Sequence, residues 1–378
     1  MKIIIAPDSF KESLTALDAA NAIEEGFKKI FPKAIYVKIP MADGGEGTVQ
    51  SLVDATDGQI IEKTVTGPLG TPVSAFFGLL GDKKTAVIEM AAASGLHHVP
   101  LEKRNPLITT TFGTGELILA ALDYGIEHII IGIGGSATND GGAGMIQALG
   151  GKLLNKSGEQ IGFGGEQLQQ LASVDFSMID ERLKKVTIEV ACDVDNPLTG
   201  NKGAAAVFGP QKGATPEIVD ILDQNLAHYA NIIEASLHKN FRDIPGAGAA
   251  GGLGFGLIAI FNAQLTRGVE IVLKAVQFEK YLTDAALVIT GEGRIDSQTI
   301  HGKTPIGVAK TAKKYNLPVI AIAGSISTDS SIVREYGIDA LFSIVPSAVS
   351  LENALENAYE YTMLTAENVA AFLKQFSM

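Results

Sequence analysis

Short, continuous runs of Val, Ile, Leu and Ala alternate along the chain with glycine-rich stretches and with segments of helical periodicity. The runs cover Ile3 to Ala6, Ile35 to Ile39, His128 to Ile133, Val186 to Val190, Ala285 to Ile289, Pro318 to Ala323 and Ala340 to Val345. Strands that are buried on both faces read as such runs, and their alternation with helices indicates a parallel sheet. After the first run, apolar positions from Ala16 to Phe27 have helical spacing, and Thr15 with Asp18 forms a candidate cap.

The middle of the chain has a different pattern. Residues 60–90 hold shorter segments broken by Gly and Pro, which is typical of an antiparallel meander. The 378 residues exceed the size at which one core usually stops growing, so two domains are expected. We predict an α/β fold with a discontinuous, Rossmann-like parallel-sheet domain (residues 1–64 and 285–378) and an inserted α/β domain (residues 65–284). Residues 85–150 would also suit the main sheet.

Composition and charge exclude several classes of partner. The formal net charge is −12, and nucleic acids and anionic membranes bind basic surfaces, so neither is expected as a partner. No apolar run approaches the roughly 18 residues of a membrane span. The single cysteine, Cys192, cannot form an internal disulfide, which indicates a cytoplasmic protein. A small-molecule substrate is expected, and a homodimer is among the assembly states that the sequence leaves open.

Most clusters of Gly, Ser and Asp follow the ends of predicted strands. Ligands of parallel α/β sheets bind outside the carboxyl ends of the strands, so these clusters predict one shared site. The clusters are Asp8 to Ser13, Asp43 to Thr48, Gly132 to Gly142, Ala191 to Leu198 and Thr290 to Pro305.

The third cluster favours a phosphate or nucleotide ligand. It follows a strong strand and precedes an apolar helical pattern, and backbone N–H groups at such a turn bind anions. The predicted phosphate ligands are Gly134, Gly135, Ser136, Thr138, Asn139, Gly141, Gly142 and, from the fifth cluster, Lys303. The same cluster matches the relaxed dinucleotide fingerprint from Gly132 to Ala137, but no strand ending in Asp or Glu follows at the expected distance. A nicotinamide enzyme is therefore disfavoured and stays an alternative.

Carboxylates in the other clusters suit a metal ion and proton transfer. Asp43 lies in a flexible, glycine-rich segment, and its carboxylate is a suitable ligand for Mg²⁺. Asp193 follows a predicted strand and is the first choice for a catalytic carboxylate, because phosphoryl transfer needs a group near the attacking hydroxyl and carboxylates also hold the metal. Glu292 and Asp296 are further candidates for a metal ligand or a general base. The guanidinium of Arg294 is a candidate for bidentate binding of a carboxylate or phosphate.

Taken together, the clusters resemble the bacterial glycerate kinases of the first type. The resembling segments are Ala6 to Lys11, Met41 to Thr48, Gly132 to Gly144, Ala191 to Leu198 and Thr290 to Lys303, in the same order along the chain. The resemblance implies transfer of the ATP γ-phosphoryl group to a hydroxyl of D-glycerate, with Mg²⁺, in a two-domain α/β protein with its cleft between the domains. It implies a phosphoglycerate product, and 2-phosphoglycerate is favoured over 3-phosphoglycerate.

With that reaction, the candidate residues take the following hypothetical roles. Asp193 and Asp296 are catalytic; Asp8, Ser9, Lys11 and Arg294 bind D-glycerate; the phosphate ligands named above bind ATP; and Asp193 and Asp43 hold Mg²⁺. The alternatives are an NAD-dependent hydroxy-acid dehydrogenase, a non-catalytic protein that binds a small anion, and a kinase of another small sugar acid or polyol.

Overall fold

The structure, a computed structural model, describes residues 1–375 and divides into two compact units. Unit 1 comprises Met1–Asp43, Gln50–Asp57 and the chain from Val269 onward. Unit 2 comprises Gly44–Val49 and Gly58–Gly268. Both ends of the chain thus belong to unit 1, while the predicted domain boundaries after residues 64 and 284 stay a prediction.

Unit 1 contains a five-stranded parallel sheet with the strand order β15-β13-β11-β1-β2. Its elements are β1 (Lys2–Pro7), α1 (Ala16–Ile30), β2 (Ile35–Lys38), most of α2 (Thr48–Thr56), most of α9 (Gly268–Ala275), β11 (Leu287–Gly291), β12 (Arg294–Ile295), α10 (Thr304–Lys313), β13 (Val319–Ala323), β14 (Ser325–Ile326), β15 (Ala340–Ser343), α11 (Leu351–Glu356) and α12 (Ala358–Gln375). Strands β1, β11 and β13 are buried almost throughout, which explains their continuous apolar sequences. Helix α1 packs against α12 and shares a core with the sheet.

Unit 2 contains a six-stranded mixed sheet with the strand order β10-β9-β6-β5-β4-β3. Its elements are β3 (Gln59–Thr66), β4 (Pro72–Leu79), β5 (Thr85–Glu89), α3 (Ala91–Ser94), α4 (Phe112–Leu122), β6 (His128–Gly132), α5 (Ala143–Ala148), β7 (Lys152–Leu154), β8 (Ser173–Asp175), β9 (Thr187–Ala191), α6 (Ala204–Phe208), α7 (Pro216–Leu237), α8 (Ala249–Phe261) and β10 (Gln264–Thr266). Strands β3, β4 and β5 pair antiparallel, whereas β5, β6, β9 and β10 pair parallel. Residues 85–150 therefore contribute their strands to this sheet.

The fold class is confirmed, and so are most of its local features. The antiparallel meander expected over residues 60–90 is formed by β3, β4 and the start of β5. Helix α1 begins after Thr15, whose hydroxyl accepts a hydrogen bond from the N–H of Asp18. None of the helices between residues 1 and 375 has the length and apolar character that crossing a membrane requires.

The start of α10 is not where its local sequence alone would place it. Thr304 and Pro305 fit the N-cap and first position of a helix, but α10 begins at Thr304 and Lys303 occupies the N-cap position. The Thr304 hydroxyl donates to the Asp8 side chain instead of capping its own helix. Because Asp8 and Thr304 are 296 positions apart, the local sequence around Thr304 could not predict this hydrogen bond.

Candidate functional site

Asp8 lies at the carboxyl end of β1 and is the most strongly perturbed carboxyl group of unit 1. Its Oδ1 accepts a hydrogen bond from the N–H of Ser9 at 2.7 Å, and its Oδ2 accepts one from Thr304 Oγ1 at 2.6 Å. Burial, followed by the charge of Asp43, raises the pKa of Asp8 to about 7. The two hydrogen bonds fix the orientation of the carboxyl group at the edge where ligands of such sheets bind.

Glu292 follows the neighbouring strand β11 and is also buried, at 7% exposure. Thr299 Oγ1 donates to Glu292 Oε1 at 2.7 Å, and the Lys303 ammonium lies 3.3 Å from Oε2. Burial raises the pKa of Glu292, the contacts with Thr299 and Lys303 oppose that shift, and Asp43 adds to it. Asp8, Asp43 and Glu292 thus place negative charge in one corner of unit 1, and Lys303 offsets part of it.

Cationic side chains lie closer to solvent in the two loops that follow β1 and β11. Lys11 and Arg294 are exposed, and Arg294 Nε lies 3.3 Å from Asp296 Oδ2. Asp296 is the N-cap of the 3₁₀ turn that begins at Ser297, where it accepts a hydrogen bond from the N–H of Gln298. Asp296 therefore has a structural function, besides its predicted catalytic one.

In unit 2, the loop after β6 is exposed only where it begins. Gly134 and Gly135 are exposed, Ser136 is 6% exposed, and Thr138 and Asn139 are completely buried. The predicted phosphate ligands of this loop therefore differ in their exposure. Gly134 and Gly135, at the outer end of the loop, are open to a ligand, and the buried Ser136 follows them directly.

Asp140 occupies the start of helix α5. It is 1% exposed and accepts hydrogen bonds from Thr111, through both N–H and hydroxyl, and from the N–H groups of Gly142 and Gly144. Burial raises its pKa, and these four hydrogen bonds oppose the shift. The donors that a helix start would offer to an anion are thus already used by a protein carboxylate, which no feature of the sequence indicated.

A second glycine-rich segment packs against the first; it runs from Gly246 into the start of α8, where Ala250 to Gly252 have positive φ and interrupt the helix. The N–H of Gly141 donates to the carbonyl of Gly251 at 3.0 Å. Gly251 has a φ of +70°, and a Cβ atom there would overlap the carbonyl oxygen of Thr138. The segment from Gly246 to Gly251 supports the Gly134–Gly142 loop by this close backbone approach.

The loop from Gly44 to Val49 lies at the same edge of the unit 2 sheet. Gly44 has a φ of +90° and leaves no room for a side chain against Ala191, at the end of β9. Glu89, at the end of β5, accepts a hydrogen bond from the N–H of Val49 at 2.8 Å, and its pKa is raised chiefly by burial. Glu89 thereby anchors the start of α2, a function that sequence reasoning missed because β5 and α2 are distant along the chain.

Asp193 is exposed in the loop after β9, where its Oδ1 accepts a hydrogen bond from the N–H of Gly268 at 3.2 Å. Its neighbour Cys192 donates through Sγ to the carbonyl of Val194, and burial raises the pKa of the thiol. A thiol with a raised pKa is a poor nucleophile, so the carboxylate is the reactive candidate of this loop.

The predicted residues therefore fall into two groups. Unit 1 brings together Asp8, Ser9, Lys11, Asp43, Arg294, Asp296 and Lys303, and unit 2 holds Gly134 to Gly142 and Asp193. Within residues 1–375, no three His, Cys, Asp or Glu side chains form a group that could hold a metal ion by themselves. Sequence reasoning did not identify Lys212, a lysine 1% exposed that contacts the Gly134–Gly142 loop.

Comparison with known proteins gives one consistent result. Residues 3–374 match the family model for glycerate kinases. A glycerate kinase of Bacillus subtilis (strain 168) is 70% identical over 374 residues, which are 99% of this chain and 98% of the relative. A glycerate 2-kinase of Escherichia coli (strain K12) is 58% identical over 373 residues, 99% of this chain and 98% of the relative.

A solved structure agrees with these relatives. A crystal structure from Salmonella typhimurium LT2, provisionally assigned as glycerate kinase 2, has a TM-score of 0.93 and 60% identity and covers 100% of this chain and 99% of its own. The family assignment decides for the kinase over the nicotinamide-dependent alternative. The chain belongs to the glycerate kinase family and is a kinase that acts on a small molecule.

Proposed function

We propose that this kinase transfers the γ-phosphoryl group of ATP to the 2-hydroxyl of D-glycerate, forming 2-phosphoglycerate and ADP. The observation that carries the choice of hydroxyl is the 58% identity, over 99% of the chain, to a relative described as a glycerate 2-kinase. The alternative is a kinase of another small sugar acid or polyol, since a site for a hydroxylated anion needs similar groups.

D-glycerate is proposed to bind in unit 1. Lys11 and Arg294 are the exposed cations that attract its carboxylate, and Ser9 adds a hydroxyl donor and acceptor. Hydrogen bonds from Ser9 and Thr304 fix the orientation of the Asp8 carboxyl group, and a substrate hydroxyl would meet it in that orientation. The carboxylates of the buried Glu292 and the half-buried Asp43 are expected to repel the substrate carboxylate toward Lys11 and Arg294.

ATP is proposed to bind through the Gly134–Gly142 loop. Since Asp140 uses the N–H groups of Gly142 and Gly144, phosphate oxygens are expected at the outer end of the loop, from Gly134 to Ser136. Thr138, Asn139, Gly141 and Gly142 then support the loop from within. Lys303, which lies beside Glu292, stays a candidate for the transferred phosphoryl group.

Mg²⁺ is proposed to be held by Asp43 or Asp193 together with phosphate oxygens. The donor set fits this ion, because Mg²⁺ in phosphotransfer sites takes only one or two carboxylates and keeps waters and phosphates as its other ligands. The effect of Asp43 on the pKa values of Asp8 and Glu292 indicates excess negative charge that a cation would stabilise. Bound Mg²⁺ would neutralise charge on the phosphates.

The proton of the attacking hydroxyl is proposed to pass to Asp193 or Asp296. Asp193 is exposed in the loop after β9, and its Oδ1 accepts a hydrogen bond from the N–H of Gly268. Asp296 is engaged as a helix cap and beside Arg294. Asp193 is therefore the stronger candidate.

The proposal is tested by ADP release from purified protein with ATP, Mg²⁺ and D-glycerate, compared with L-glycerate, glycerol and no acceptor. We expect ADP release that depends on D-glycerate. ADP release equal to the blank without acceptor, in protein that binds ATP, would exclude D-glycerate and direct the search to other sugar acids and polyols.

The net charge of −12 and the single cysteine support a cytoplasmic enzyme that does not bind nucleic acid. Light scattering of the purified protein tests whether it forms a homodimer.

A further inference from the structure

Lys212 is a buried cation beside the proposed phosphate loop. It ends the 3₁₀ turn Pro210–Lys212 and is 1% exposed. Its ammonium donates to Ser136 Oγ at 2.6 Å and to the carbonyl oxygen of Thr138 at 2.6 Å. Burying an ammonium is costly unless hydrogen bonds and opposite charge compensate it, so its presence here indicates a function beyond packing.

The charge of Lys212 is only partly compensated. Burial lowers its pKa to about 7, and the charge of Asp140 opposes that shift. The oxygens of Asp140 accept hydrogen bonds from Thr111, Gly142 and Gly144, whereas both hydrogen bonds of Lys212 go to uncharged oxygens. A phosphate group at the outer end of the loop would supply the missing negative charge.

The hydrogen bond to Ser136 has a consequence for the hydroxyl group. In its charged form Lys212 has donors and no acceptor, so Ser136 Oγ then accepts the hydrogen bond from the ammonium. The Ser136 hydrogen then points to another partner, and the hydrogen bond from a charged donor makes it a stronger donor. Ser136 is 6% exposed and follows the exposed Gly134 and Gly135, so we expect an anion bound at these glycines to accept from this hydroxyl.

The polar network around Lys212 is also incomplete. Among the described residues, Thr138 Oγ1, both side-chain polar atoms of Asn139 and the Tyr229 hydroxyl are buried without a hydrogen-bond partner. Buried polar groups are usually satisfied by protein, ordered water or ligand. This observation, independent of Lys212, indicates that ordered water or a bound group completes the region.

We propose that Lys212 is a positioning residue of the phosphate site, which holds Ser136 and Thr138 in place and turns the Ser136 hydroxyl toward a phosphate group of the nucleotide. The inference rests on the proposed binding of ATP by this loop and assigns it a residue that no motif indicated. Lys212 acts through Ser136, because its own ammonium is enclosed.

The test is calorimetric titration of the whole protein with MgADP, which does not depend on the acceptor. We expect Lys212→Met and Ser136→Ala each to weaken MgADP binding about 10- to 100-fold, the range for a hydrogen bond to a charged group. The double variant should be no weaker than the weaker single variant, because one residue acts through the other. Ser136→Thr, which keeps the hydroxyl, should bind MgADP more tightly than Ser136→Ala. The control Lys152→Met, which removes an exposed lysine of unit 2, should stay close to wild type.

A second readout separates positioning from general damage. The KM for MgATP should rise in Lys212→Met while the KM for the acceptor is unchanged. Binding of MgADP within twofold of wild type in folded Lys212→Met, or effects of the two substitutions that add in full, would overturn the proposal. If Lys212→Met does not fold, Ser136→Ala decides, since wild-type affinity in that variant contradicts the proposal equally. Wild-type protein that binds MgADP but does not phosphorylate glycerate would refute the proposed acceptor and leave this test intact.

Discussion

The chemistry of the Asp8 carboxyl group is determined by residues that are distant from it along the chain. Asp8 follows β1, at the edge of the sheet where ligands bind. Its contact with Thr304, 296 positions away, and the neighbouring charges of Asp43 and Glu292 depend on the pairing of β1 with β11 and on the packing of α10. Local sequence does not encode such partners, and they determine the chemistry of the group.

The raised pKa of Asp8 predicts a dependence of stability on pH. A folded-state pKa of about 7, against the 3.8 of an ordinary aspartate side chain, means that the folded protein binds more protons than the unfolded chain between these values. The free energy of unfolding should therefore fall as pH rises from about 4 to about 7, by at most about 1.4 kcal/mol per pH unit. Urea unfolding of wild type and Asp8→Asn, with EDTA and no substrate, measures the difference. A difference in the free energy of unfolding that stays constant over this pH range would contradict the buried environment assigned to Asp8.

Asp193 is predicted to affect turnover and not folding. Asp193→Asn should lower kcat about 100-fold or more, because the variant cannot accept the proton or bind a cation with full charge. The exposed neighbour Asp195 supplies the control, since Asp195→Asn removes the same charge two residues away. Near-normal turnover of Asp193→Asn would remove this residue from the mechanism.

At the level of elements, the sequence predicted what depends on local pattern. Continuous apolar runs identified β1, β2, β6, β9, β11, β13 and β15 within a residue or two of their ends. The missed features depend on contacts that the local pattern does not show. Glu89 anchors the start of α2, and Asp140 accepts hydrogen bonds from Gly142 and Gly144 at the start of α5. A glycine loop before a helix predicts an anion site, but only the structure shows that a carboxylate already uses the donors of α5.

The contact of the two glycine-rich loops can be tested directly. Gly251→Ala forces an alanine into the left-handed region and makes its Cβ overlap the carbonyl of Thr138. Gly200 also has a positive φ, of +86°, but its side-chain position is open, so Gly200→Ala carries only the backbone strain of about 1 kcal/mol. Thermal unfolding should show a larger loss for Gly251→Ala, with weaker MgADP binding. Equal losses of thermal stability in the two variants would mean that the close contact between Gly251 and Thr138 does not stabilise the two loops.

At the level of the molecule, each of the two units is built from segments that are not continuous in the sequence. The five-stranded sheet combines β1 and β2 with β11, β13 and β15, and the six-stranded sheet is built from residues in between. The segment Gly44–Val49 could not be placed from sequence, because it belongs to unit 2 through packing of Gly44 against β9. The reaction itself was indicated by resemblance of whole clusters and not by any single residue.

The proposed division of the substrates between the units predicts two patterns of hydrogen exchange. MgADP should slow amide exchange in the Gly134–Gly142 loop and around Gly251, because phosphate contacts hold both loops. D-glycerate should slow exchange in Asp8 to Ser13 and in Gly291 to Lys303. Protection by D-glycerate in unit 2 alone would contradict the proposed acceptor site.

The most direct test of the central proposal is the proton-coupled phosphorus NMR spectrum of the product formed from ATP, Mg²⁺ and D-glycerate. Phosphorylation of the 2-hydroxyl predicts a new signal split by the single proton on carbon 2, a doublet. A triplet, from the two protons on carbon 3, would establish 3-phosphoglycerate and contradict the proposed hydroxyl. Absence of any new phosphate ester, in protein that binds ATP, would contradict glycerate as the acceptor.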